Sequence, residues 1–170
     1  SDKSKLQIIK EYAFSSSNLE HINIPAHVNL IGKHAFSWCK KLVDVTFAEN
    51  SELGSLEKDV FHQTFIETIN IPAQVSIICE GAFSQCTNLK TVNFPKDSKL
   101  KSIETNAFSG SSLCKITMPP KLEHLKDGWC WGTTNTFNID VEVSNKNFQL
   151  IKNDFIVEKS EDQNNKYNTI

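Results

Sequence analysis

The chain has 170 residues, of which 39% are hydrophobic and 22% charged, and its formal net charge is -2. That is long enough for one domain with its own core, and the charge gives no pull toward nucleic acid or an acidic membrane. No apolar run reaches the length of a membrane span, and the first residues do not read as a secretory signal, which says little in a chain whose pattern opens in mid-repeat.

One pattern governs the chain: an apolar residue, two spacers, an apolar residue, one spacer, another apolar residue, a turn, and then a phenylalanine. The phenylalanine falls at Phe14, Phe36, Phe61, Phe83 and Phe108, in steps of 22, 25, 22 and 25 residues, so that two repeats make a unit of 47. A repeat held in one register decides the architecture before any local propensity does.

In chain order, residues 1–5 are polar and expected to fray. Leu6 to Asn18 match the second half of a repeat whose strand is missing, so the chain reads as a piece of a longer array, or as one with an unusual cap; Ala13 to Ser17 suit a single helical turn. Leu19 to Ile24 give the first full strand, with Ile22 and Ile24 inward and His21 and Asn23 outward by period-two alternation. Pro25, which has no N–H to donate, ends it. Val28 and Ile31 form a short extended piece on the return side, and Phe36 turns into the core. Leu42, Val45 and Phe47 begin the next repeat, Ile66, Ile69 and Ile71 the third, Leu89, Val92 and Phe94 the fourth, and Leu113, Ile116 and Met118 the fifth.

The pattern then degrades. Trp129-Cys130 stands where a repeat has Ala-Phe, which puts Cys130 in the phenylalanine position, buried, with Trp129 and Trp131 covering the end of the stack. Phe137, Ile139, Val141 and Val143 alternate as a sixth strand. Leu150-Ile151 and Phe155 to Val157, on either side of Asn153-Asp154, suggest a closing hairpin. The polar stretch from Glu158 to Ile170 is either a last strand at 166–170 or disordered. The expected organisation is a frayed start at 1–5, a solenoid at 6–143, and a capping hairpin with a polar tail at 144–170.

The fold this implies lies between α/β and mainly β: a right-handed solenoid with a parallel sheet of about six strands on its concave side, and short extended pieces and helical turns on the return side. One turn of such a coil cannot bury its own apolar face, so stacking does it. Cys39 and Cys86 share a phase two repeats apart; strands ~4.8 Å apart would hold them at roughly 10 Å, beyond the reach of a disulfide at about 7 Å. They read as buried rungs. No cysteine pair and no pair of the five histidines has metal-ligand spacing. The serine-rich turns lack the glycines of a nucleophile elbow, and no glycine-rich phosphate loop is present. No metal, cofactor or catalytic group is expected. Trp38 is expected either to anchor a partner or to pack on the neighbouring repeat.

The candidate binding surface is the outward grid of the concave face. One row is His21, Asp44, Thr68, Thr91, Lys115 and Asn138; the next is Asn23, Thr46, Asn70, Asn93, Thr117 and Asp140. Strands ~4.8 Å apart would present these as a flat array of donors and acceptors. A plainer reading stands beside it: such ladders solvate a sheet face and hydrogen-bond each other across strands. The central grid has no aromatic anchor, and weak sites repeated along an array would act through avidity.

The segments Leu89-Lys-Thr-Val-Asn-Phe-Pro95 and Ile31-Gly-Lys-His-Ala-Phe-Ser-Trp-Cys39 resemble the BspA-like class of leucine-rich repeats over roughly residues 6–157. Asn145-Lys-Asn-Phe148 through Val157 is similar to the tail motif of that class, with Asn153-Asp154 where the family often has Asp-Gly. The resemblance implies a leucine-rich-repeat solenoid and a non-catalytic, monomeric protein-binding module, part of a surface adhesin for host matrix or cell-surface proteins. It carries no catalytic residue. The alternative is an intracellular scaffold that recruits a protein partner, toward which the free thiols and the absence of an Asn-x-Ser/Thr sequon lean.

Overall fold

The computed structural model describes residues 4–133, 138–151 and 155–158. Short strands alternate with longer ones. β1 (Ile8–Ile9) opens the chain; β2 (His21–Ile24) and β3 (Leu30–Ile31) follow, then β4 (Asp44–Phe47) and β5 (Ser55–Leu56), β6 (Thr68–Asn70) and β7 (Ile77–Ile78), β8 (Thr91–Asn93) and β9 (Ser102–Ile103), and β10 (Lys115–Met118) and β11 (His124–Leu125). β12 (Asn138–Val141) ends the long-strand series, and β13 (Phe148–Ile151) and β14 (Phe155–Glu158) form an antiparallel pair. All other pairings are parallel, between equivalent strands of neighbouring coils. The chain is a parallel-strand solenoid of about six turns.

The third side of the coil corrects the expected helical turns: no helix occurs among the described residues. Alternate amides there serve two different partners. The amides of His34, Phe36 and Trp38 donate to the carbonyls of Lys58, Val60 and His62 in the next coil, whereas those of Ala35, Ser37 and Cys39 donate three residues back, to Gly32, His34 and Phe36. A helix sends every amide back along its own chain; here half are committed to the neighbour. The alternation is closed by left-handed residues two before and two after the phenylalanine, as at His34 (φ 56°) and Trp38 (φ 64°), or Gly81 (φ 65°) and Gln85 (φ 59°). Gly32 is required for another reason, since a Cβ there would lie 2.5 Å from the Glu11 backbone nitrogen.

The core is a row of rings. Phe14, Phe36, Phe61, Phe83 and Phe108 stack at centroid separations of 5.2–5.4 Å. The last four are fully buried, in one core cluster with the equally buried Leu42, Ile66, Leu89 and Leu113 and with Leu56, Ile78 and Ile103. Leu53, Leu100 and Val75 belong to the same cluster.

The expected single sheet of six long strands is divided in two: β2–β4, and β6–β8–β10–β12. The break coincides with a change of register. The fuller pairings join residues 23 apart, as in His21↔Asp44, Thr68↔Thr91 and Lys115↔Asn138, but Asp44 and Thr68 are 24 apart. The same 24-residue step occurs between β8 and β10, which pair over two residues. The short-strand ladder is divided elsewhere, between β3 and β5.

The end of the stack also differs from expectation. Cys130 does occupy the phenylalanine register, since the Phe108 amide donates to the carbonyl of Trp129 as that of Phe83 does to Ala107. A thiol cannot fill that space, however. The Trp129 ring swings in from the neighbouring position and meets Phe108 edge-on at 6.2 Å, leaving Cys130 half-buried. Trp131, expected to cover the end of the stack, is 77% exposed. Asn145 then closes the stack. Its Nδ2 donates to the Pro119 and Leu122 carbonyls, its Oδ1 accepts from the Asn147 and Phe148 amides, and Phe148 is buried behind it. The expected turn at Asn153-Asp154 and the tail from 159 lie outside the described residues, as do Ser1 to Lys3.

Removing one ring from the middle of the stack unbacks both of its neighbours. Phe83→Ala is expected to destabilise the chain by about 3–5 kcal/mol, against less than ~0.5 kcal/mol for the exposed Lys96→Ala, as read by denaturant unfolding. Equal midpoints for Phe83→Ala and the parent chain would contradict a core built on this stack.

Candidate functional site

The long strands place their inward residues, Val45, Ile69, Val92 and Ile116, against the ring stack and their alternate residues on the solvent face. Every residue of the two sequence-derived rows lies on that face. His21, Asp44, Thr68 and Lys115 are exposed and Thr91 is half-buried; Asn23, Thr46, Asn70 and Asn93 are exposed and Thr117 is half-buried. Asn138 and Asp140 extend the rows on β12 and are exposed.

The two rows differ chemically. In the second, the Thr46 hydroxyl donates to Asn23 Oδ1 at 3.2 Å, and Asn93 Nδ2 donates to Asn70 Oδ1 at 2.9 Å. These four residues thus brace each other across paired strands. They remain able to bind more: an amide that makes one such bond keeps donor and acceptor capacity. In the first row His21 Nδ1 lies 4.0 Å from Asp44 Oδ2, a loose pair in which both side chains are largely solvated. The bracing stops between Thr46 and Asn70, where the strands themselves are unpaired.

Trp38, singled out in the sequence, is 45% exposed with Lys40 Nζ 5.3 Å above its ring and His62 edge-on at 5.7 Å. It thus both packs on the next coil and meets solvent. Sequence reasoning missed two further apolar residues: Val43, five residues on, and Phe65, whose amide donates to the Leu42 carbonyl, are each more than a third exposed. Their apolar character was the available signal, at positions where the other full repeats carry Glu20, Glu67, Lys90 and Cys114, or Asn18, Lys41, Asn88 and Ser112.

The cysteines are all free. Cys39 and Cys86 are rungs that donate to the carbonyls of Phe14 and Phe61, both at 3.0 Å, with Ser17 and Thr64 hydroxyls 3.3 Å from the sulfurs. Burial raises the Cys86 thiol to about 11, and likewise Cys79 and Cys130 to about 11. Among the described residues no cluster of three metal-ligating side chains occurs, and no helix is long and apolar enough to cross a membrane.

Residues 4–153 match the BspA type leucine rich repeat region in six copies. The chain belongs to that family. No curated protein matches it in sequence. Among solved structures it is similar to the pneumococcal vaccine antigen PcpA, at 28% identity and a TM-score of 0.83, over 91% of this chain and 40% of that one. It is also similar in fold to a leucine rich cell surface protein from Faecalibacterium prausnitzii, at 24% identity and a TM-score of 0.60, over 92% of this chain and 47% of that one. A leucine-rich repeat protein from Bacteroides ovatus aligns at 24% identity and a TM-score of 0.67, over 81% and 38%. The chain spans less than half the length of each.

Two outcomes test this description. In a double-mutant cycle on Asn70→Ala and Asn93→Ala, the coupling is expected to be about 0.2–1 kcal/mol; zero coupling would remove the brace. Because thiolate is the reactive form and burial disfavours it, iodoacetamide at pH 8 is expected to modify the exposed Cys114 first, Cys79 and Cys130 slowly, and Cys39 and Cys86 only on unfolding, as followed by peptide mass spectrometry.

Proposed function

We propose that the chain is a protein-binding module that works through its long-strand face, as part of a cell-surface adhesin for host matrix or cell-surface proteins. The observation that carries this reading is the grid of Thr68, Asn70, Thr91 and Asn93 on paired strands, exposed apart from Thr91 and partly braced. Side chains already held in place lose less freedom on binding than mobile ones. Without an aromatic anchor in the grid, single contacts are weak, and repetition along the face supplies avidity. The surface setting is supported by family membership and by similarity to a vaccine antigen and a cell surface protein. Five free cysteines favour the second reading, an intracellular scaffold, because such thiols persist most readily in a reducing compartment.

The test is binding of the purified chain to immobilised matrix proteins and to intact host cells. The comparison variant carries Thr68→Glu, Asn70→Glu, Thr91→Glu and Asn93→Glu together, with its fold checked by circular dichroism. Saturable binding by the parent chain and a loss of at least tenfold in the variant are expected. Binding retained by the variant would move the site to the Trp38 corner or the loops, and no binding by either protein would favour the scaffold.

A further inference from the structure

A cleft interrupts the long-strand face. β8 and β10 pair at Thr91↔Lys115 and Val92↔Ile116, and their pairing stops there, while β10 and β12 stay paired as far as Met118↔Val141. At the ends of these strands lies a cleft of about 280 Å³. Its apolar lining is Val92, Phe94, Pro95, Pro119 and Pro120, and its polar lining is Asn93, Thr117, Lys96 and Glu142. Asn93 and Thr117 belong to the second polar row, so the cleft is continuous with the grid. Pockets for small-molecule ligands run from about 300 to 1,000 Å³; this one is sized for a single side chain.

The stack itself does not require the proline lining. One unit earlier, Phe47 and Pro72 stand where Phe94 and Pro119 do, but Ala48 and Ala73 stand in place of Pro95 and Pro120. Glu49 there replaces Lys96, and the cleft beside it is lined mainly by polar side chains, Asn50, Glu52, Gln74 and Asp97 among them. The two extra proline rings add apolar surface that has no side-chain rotamer freedom to lose on contact. The charges on the two sides of the cleft are opposite. Lys90 and Lys96 flank β8, Asp140 and Glu142 stand on and just after β12, and all four are exposed. Lys115 stands on β10 between them, in the other row. Among the described residues neither Lys96 nor Glu142 is in an ion pair.

We propose that this cleft takes one apolar side chain of an extended protein segment that crosses β8, β10 and β12, with a carboxylate two residues to the β8 side and a cation two residues to the β12 side. An extended segment sets alternate side chains on one face ~7 Å apart, and the ~10 Å from β8 to β12 lies within two such steps. The apolar residue supplies the anchor that the grid lacks. Asn93 Oδ1 and the Thr117 hydroxyl can bond to the segment's backbone, since the Asn93 brace uses only its Nδ2. Lys96 and Glu142 then fix the direction in which the segment runs across the coils. This inference rests on the long-strand face being the binding surface, and it names the chemistry of the partner.

The test is titration of the isotope-labelled chain with the blocked peptide acetyl-Thr-Glu-Thr-Leu-Thr-Lys-Thr-amide, followed by NMR. Saturable shifts centred on the Asn93, Phe94, Lys96 and Thr117 amides are expected, and binding at least tenfold weaker when Ser replaces the peptide's Leu. Lys96→Glu makes both sides of the cleft acidic, and should move the preference at least tenfold toward a peptide with Lys in place of its Glu. No shift at millimolar peptide, shifts centred elsewhere, equal binding of the Ser peptide, or a preference unmoved by Lys96→Glu would each overturn the inference. In the matrix-protein assay Pro120→Glu, its fold checked by circular dichroism, should bind at least tenfold more weakly than the parent. Binding kept by Pro120→Glu but lost by the variant with four Glu substitutions would overturn the cleft and leave the grid. Peptide binding without matrix binding would support the cleft and count against the adhesin.

Discussion

The structure depends on how the backbone is satisfied around a buried ring. Each coil is narrow, and a phenylalanine fills it at one corner. A buried amide or carbonyl without a partner costs on the order of 1–3 kcal/mol, so every backbone group at that corner needs a destination. Neither helix nor strand provides one, because the chain must turn sharply there and still bond to the coil above. Alternating short-range and inter-coil hydrogen bonds solve this, at the expense of left-handed backbone at two positions per coil. Eight of those positions are not glycine: Tyr12, Ser16, His34, Trp38, Asp59, Gln63, Gln85 and Asn106. Each is unfavourable by roughly 1–2 kcal/mol in an L-residue, yet each persists because the ring stack and the amides on either side fix the geometry around it. The glycines at Gly81, Gly110, Gly128 and Gly132 relieve the strain in the later coils.

This corner is also what keeps the coils together where the sheets do not. The long-strand ladder is divided between β4 and β6 and the short-strand ladder between β3 and β5, but the turn ladder runs through both joints, as in Phe36 to Val60 and Phe61 to Ala82. Side-chain ties are staggered in the same way. Ser17–Cys39 and Thr64–Cys86 join coils at the turn, whereas Asn23–Thr46 and Asn70–Asn93 join the alternate pairs of coils on the strand face. The joint left without a long-strand pairing, between β4 and β6, thus has the Thr64–Cys86 tie at the turn and the β5–β7 pairing on the short side. The 47-residue unit is a physical alternation of joints as well as a count in the sequence.

The parts of this that could be read from the sequence were those set by burial and period. Ile69 and Val92 at fixed spacing can only be inward residues of stacked strands, and the outward rows follow from them. What could not be read was how the backbone resolves its own hydrogen bonds. Ala13 to Ser17 suit a helical turn by composition, and nothing in those residue types reveals that alternate amides are taken by the next coil. The divided sheet was visible in principle, since the 23- and 24-residue steps can be counted, but one extra residue can be absorbed in a loop or in a strand, and packing decides which. Trp129 is a similar case: the register put Cys130 in the ring position, and only the volume of the space to be filled moves the neighbouring indole into it. The partner, unlike the fold, leaves no trace in a burial pattern, because the residues that would touch it are those the core leaves free.

The polar rows show how that freedom is limited. A face of unbraced asparagine and threonine would lose side-chain entropy on meeting a partner. A face whose side chains were fully paired among themselves would have nothing to offer. The rows fall between these extremes. Asn70 and Asn93 are held by one bond and keep further donors and an acceptor. Thr68 and Thr91 stand beside them in register, with their strands fixed by the ladder. The unit such a surface presents is therefore a pair of coils rather than a residue, repeated at the 47-residue spacing. A ligand that spans two such units gains from both at once, through effective concentration rather than through any single strong contact. On the proposed reading, the weakness of each contact and the regularity of the stack would serve the same end: the face would distinguish extended partners by how many coils they cover.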